Sequence, residues 1–164
     1  RSARTWSNLA QCAQAMGNPT ETISAMQRAL EMEEPTAQRL HVLAYAHWLL
    51  QDWQGMHDAA HSAIELNERD DYAWQQKALA RDKLGDPAGA LEINAAALEI
   101  NPENHYIRYN WADLVWRVER RVELAAFEQA FAGAPELRDS VREEMDNPEY
   151  SELFADSEFM ALMK

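Results

Sequence analysis

Two histidines one helical turn apart, in the run His57-Asp58-Ala59-Ala60-His61, have the spacing of a metal-binding helix. Residues i and i+4 share a helix face, so both imidazoles could approach one zinc ion with a carboxylate between them. The intervening acid is aspartate where zinc-binding helices use glutamate, and no third ligand stands at an interpretable interval. The outer and boundary faces of a packed helix account for both rings, so neither a metal site nor a cofactor is expected. Cys12 is the only cysteine, which rules out a disulfide within the chain and reads as a small, partly buried apolar residue. Gly17-Asn18-Pro19 and Gly85-Asp86-Pro87 lack the glycine spacing and the lysine of a phosphate loop and are turn chemistry. The serines have no His and Asp partners at a useful interval. These residues predict a binding protein and not an enzyme.

Charge narrows the partner. With 15 Lys and Arg against 28 Asp and Glu, the net charge of −13 argues against nucleic acid, whose phosphates are bound by basic side chains that release counterions. It also disfavours anionic membrane surfaces, and no apolar run approaches the ~18 residues a membrane span requires. Residues 119–164 hold twelve acidic and five basic side chains, a net of −7, read as a solvated face with a basic partner as the sharper alternative. The chain opens at Arg1-Ser2 without methionine and without a visible signal peptide, as expected of a piece of a longer protein; a cytoplasmic location is the default reading.

The elements that must position any binding residue are set by a repeat. Ala44, Ala78 and Ala112 stand 34 residues apart, and Ala29, Ala63 and Ala97 keep the same interval. A period of this length marks helix-turn-helix units that bury their apolar faces only against neighbours. Repeat one is read as residues 3–36, repeat two as 37–70, repeat three as 71–104 and repeat four as 105–137, the last with one residue deleted near Arg120-Arg121. In the third, helices over 72–84 and 88–100 flank Gly85-Asp86-Pro87, where glycine takes the left-handed conformation and proline opens the next helix. Small residues let backbones approach, while Leu9, Leu43, Ile64, Leu98, Trp111 and Phe131 supply apolar area. No stretch alternates with period two for long enough to make a sheet.

Trp74, Ala78, Gly85, Ala90, Ala97 and Pro102 fall where the tetratricopeptide repeat signature places its tryptophan, small residues, turn glycine and closing proline. Repeat one keeps Trp6, Leu9, Ala10, Gly17 and Ala29 but has Thr22 for an alanine. Repeat two has Gln51 at the turn and Glu68 in place of proline, and repeat four keeps Ala112, Phe127, Ala130 and Pro135. The chain resembles the tetratricopeptide repeat (TPR) family over residues 1–137. That resemblance implies an all-α, right-handed α-solenoid of about four TPR-like repeats, with residues 138–164 as C-terminal cap and tail of the same domain. Leu137, Val141 and Met145 recur on one helical face and predict the capping helix. After the break at Asn147-Pro148, the residues Tyr150, Leu153, Phe154, Phe159 and Leu162 form two short apolar faces, expected to pack on the array in preference to hanging free as a recognition segment.

In such arrays the first helix of each pair lines a concave groove, with the second, fifth, ninth and twelfth residues facing inward. This places Arg4, Ser7, Gln11 and Gln14 in repeat one, and Gln38, His41, Tyr45 and Trp48 in repeat two. Repeat three contributes Tyr72, Gln75, Leu79 and Asp82, and repeat four Tyr106, Tyr109, Asp113 and Trp116. Tyrosine and tryptophan often anchor interfaces, so Tyr45, Trp48, Tyr72, Gln75, Tyr106, Tyr109, Asn110, Asp113 and Trp116 are the expected partner-binding residues. Asn8 and Asn110 match an asparagine that in some family members bonds the backbone of an extended peptide. The lysine, asparagine and arginine clamp by which other members hold the acidic C-terminus of a chaperone is missing, since Ser7, Gln11, His41 and Tyr45 occupy its positions. The function read from the sequence is a protein-protein interaction module, a scaffold or adaptor holding a peptide or helical segment of another protein. The alternatives are a non-catalytic substrate-recruiting array of a larger enzyme and weak self-association through the uncapped start of repeat one.

Overall fold

The computed structural model describes residues 2–164, and among these every regular element is a helix. The helices are α1 (Ala3–Ala15), α2 (Pro19–Leu30), α3 (Ala37–Leu49), α4 (Trp53–Leu66), α5 (Asp71–Lys83), α6 (Pro87–Ile100), α7 (His105–Glu119) and α8 (Leu124–Gly133), followed by α9 (Leu137–Glu143), a 3-10 turn (Pro148–Tyr150), α10 (Ser151–Ala155) and α11 (Ser157–Leu162). No described helix is long and apolar enough to cross a membrane.

Local chemistry starts and stops the helices. Ser2, Asn18, Thr36, Asp52, Asp70 and Asn104 each accept a hydrogen bond from a main-chain N–H three residues on, satisfying a donor the helix itself leaves free. Gly17 and Gly85 end α1 and α5 at φ of 69° and 85°. Gln51 stands at the corresponding turn after α3 and is forced into the same left-handed region, at φ 56°, as is Arg120 after α7 at φ 54°.

The chain forms two compact units, residues up to Asp86 and residues 87–164. In the first, α1 to α5 pack in sequential order, each helix against the next. Its core joins Ala10, Ala25, Met26, Ala29, Leu43, Ala44, Met56 and Ala59, with a smaller cluster of Leu40, Ala63, Ile64 and Ala73 beside it. In the second, α7 packs between α6 and α8, and Phe127, Phe131, Phe159 and Leu153 are among its largest buried side chains. All six alanines of the 34-residue pattern are buried, as close approach of helix backbones requires.

Two expectations are corrected. Cys12 is exposed, because it lies on the side of α1 opposite the buried Ala3, Ala10 and Ala13. Met145 is half exposed, because α9 tightens into turns in which Glu144 and Met145 bond the carbonyls of Val141 and Arg142, rotating Met145 off the face that buries Leu137 and Val141.

Candidate functional site

In the first unit the residues of interest lie on α1, α3 and α5. Asp70 caps α5 by accepting from the N–H of Ala73 at 3.0 Å, and its other oxygen meets Nε2 of His41 on α3 at 2.7 Å. This ties His41 in place, and its ring stands edge-on to Tyr72, with centroids 5.1 Å apart. One turn along α3, Tyr45 stacks on Trp48 at 5.6 Å. Trp48, Tyr72 and Leu79 stay open to solvent at 41%, 47% and 39%, large values for side chains that lose free energy in water; Tyr45 and Gln75 are half-buried.

Between α1 and α3 lies an open basin of about 420 Å³, lined among others by Arg4, Ser7 and Gln11 of α1, Glu33, and Gln38 and Arg39 of α3. Arg39 is committed to the fold: it donates to Ser7 Oγ at 3.1 Å, to Glu33 at 2.7 Å and to the Glu34 carbonyl at 3.2 Å. Arg4, also in the lining, is exposed. Arg39 was not among the sequence candidates. Its place one residue after Gln38 was visible, but its bridge to a serine 32 residues earlier exists only once α1 and α3 pack.

The second unit treats its candidates differently. Tyr106 is exposed and donates its hydroxyl to Glu136, which holds the tyrosine's pKa above its usual value and the carboxylate's below. Asn110 is half-buried. Tyr109 packs on Phe127 and Phe131 at 6.1 and 6.4 Å, and burial raises its hydroxyl pKa far above the ordinary range. Trp116 is only 4% exposed, with its indole N–H buried and unpartnered. Tyr109 and Trp116 are therefore not on an open surface, contrary to the groove expectation. The reason is residues 148–163, which fold over the same cluster and bury Leu153, Phe159 and Met163 in it. Tyr150 of that segment hydrogen-bonds Asp113; desolvation, then the aspartate's charge, pushes the Tyr150 pKa upward.

His57 and His61 stack at 6.5 Å, but His57 pairs with Asp58 at 3.2 Å and His61 meets Lys77 Nζ at 3.2 Å. Among the described residues no group of three His, Cys, Asp or Glu is disposed to hold a metal ion.

Residues 3–36, the α1–α2 pair, match the family model for the tetratricopeptide repeat. The chain has the tetratricopeptide-repeat fold. Among solved structures it is similar to MamA, at 21% identity over 79% of this chain and 77% of that one, with a TM-score of 0.71. A thermophilic TPR protein of Thermus thermophilus gives 17% identity, 98% and 88% coverage and a TM-score of 0.67. The first TPR of Spaghetti (RPAP3), bound to the HSP90 peptide SRMEEVD, gives 16%, 72% and 96%, and 0.61. At these identities the likeness is one of fold. No curated protein matches the chain.

Proposed function

We propose that this protein holds a segment of a partner protein against the α1, α3 and α5 face of its first unit. The observation that carries this reading is the row of exposed Trp48, Tyr72 and Leu79, with half-buried Tyr45 stacked on Trp48, on helices that also line an open basin carrying exposed Arg4. Aromatic anchors on packed helices lose little entropy on binding, and basin groups such as Gln11 and Gln38 can bond a partner's backbone. The RPAP3 repeat domain binds an HSP90 peptide, but the clamp positions here carry Ser7, Gln11, His41 and Tyr45. An internal segment with apolar side chains suits this face better than an acidic chain terminus. The net charge of −13 favours a neutral or basic segment and disfavours nucleic acid.

The test is affinity capture with the wild-type chain alongside a Trp48→Ala/Tyr72→Ala variant. A partner retained by the first and lost by the folded second supports the reading, and equal retention sinks it.

A further inference from the structure

The C-terminal segment is held in the manner of a bound peptide. Four of the second unit's six arginines converge on it. Arg117 Nε donates to Glu149 at 3.2 Å, and Arg120 Nη1 to the Glu149 carbonyl at 3.3 Å. Arg138 and Arg142 donate to the carbonyls of Leu162 and Met163 at 2.8 and 2.7 Å, capping the end of α11. Between these polar ends Phe159 meets Phe127 edge-on at 5.0 Å, and Leu153 is buried. Three of these four contacts are to main-chain carbonyls, a mode of recognition that reads conformation and leaves sequence to the apolar pockets.

The segment is acidic, carrying Glu149, Glu152, Asp156 and Glu158; Glu149 pairs with Arg117, and Asp156 caps α11 by accepting from the N–H groups of Glu158 and Phe159. Helices as short as α10 and α11 are not stable alone in water, so the segment is ordered by the face that receives it. It is joined to α9 by exposed turn residues Glu144, Met145 and Asp146.

We propose that the face formed by α7, α8 and α9 is a second protein-binding site, for a short acidic segment with a Tyr-x-x-Leu-Phe pattern and a following phenylalanine. Residues 147–163 are its resident ligand in cis, closing it until a partner of the same chemistry displaces them. This is independent of the reading of the first unit. Tethering gives the resident segment a local concentration on the order of millimolar, so an incoming segment must bind correspondingly tighter or arrive after the tether is weakened.

The experiment uses the full chain and a fluorescent synthetic peptide of residues 147–164. Wild type should take up little peptide at roughly 10 μM, because the site is filled. A Leu153→Ala/Phe159→Ala chain, with helicity checked by circular dichroism, should bind it at least about tenfold more tightly. Adding Arg138→Glu to that chain should abolish the gain. Should the double variant fail to fold, Glu149→Gln/Tyr150→Phe weakens only the polar latch, and a smaller gain is expected. A folded variant that gains no affinity, a gain indifferent to Arg138→Glu, or unfolding of both variants would show the segment to be fixed core and overturn the proposal.

Discussion

The imidazole of His47, led by its Nδ1, fills the space a β-carbon on Gly55 would enter. The ring is held there by a 2.7 Å bond from Nδ1 to Asp52, whose other carboxylate oxygen accepts from the Gly55 N–H at 3.0 Å. Glycine, histidine and aspartate thus lock the turn between α3 and α4. Gly55→Ala should displace the ring and break its bond to Asp52, costing about 1–2 kcal/mol even after alanine's better helix propensity. Urea unfolding measures this, and an unchanged midpoint would mean the ring swings aside freely.

The same turn contains the left-handed Gln51, at φ 56° where the corresponding turns after α1 and α5 have glycine. Gln51→Gly removes a backbone penalty of about 1 kcal/mol but gives the unfolded chain more freedom, leaving a net stabilisation of about 0.5 kcal/mol. Thermal melting would show a higher Tm, whereas a lower one would indicate that the glutamine side chain contributes something the backbone argument omits.

Asp52 also makes stability pH-dependent. The Gly55 N–H bond first, and His47 after it, hold its carboxyl below the usual value against the opposing effect of desolvation. A folded-state pKa below the unfolded one contributes stability above the unfolded value, about 4, and that contribution is lost as pH falls through the folded value. Asp52→Ala should therefore cost about 1 kcal/mol at neutral pH, and the difference from wild type should shrink in acid. A difference constant from pH 7 to pH 2 would contradict the cap.

The helical repeat was legible in the sequence because its cause is local and periodic: the alanines that let helices approach recur every 34 residues, and capping side chains precede most helices. What the register could not place was the effect of distant chain. Tyr109 and Trp116 occupy groove positions by count, but the segment carrying Leu153 and Phe159 returns to pack in the same core cluster. The clustering of Arg117, Arg120, Arg138 and Arg142 depends on the same return and has no periodic signature. Met145 failed for a nearer reason, since the stripe was extended past the point where α9 unwinds.

The two units give tyrosines of the same register opposite roles, which provides the sharpest test of where binding occurs. Tyr72 is 47% exposed and touches the ring of His41 alone among the aromatics, whereas Tyr109 is packed against Phe127 and Phe131. Tyr72→Ala should leave the unfolding midpoint nearly unchanged and weaken partner binding by about 2 kcal/mol, the scale of an interface anchor. Tyr109→Ala should instead open a cavity in the second unit's core and lower stability by about 3 kcal/mol. Calorimetric titration and denaturant unfolding of both variants separate the effects. If Tyr72→Ala bound the partner as wild type does while folded, the first unit's face would not be the binding site.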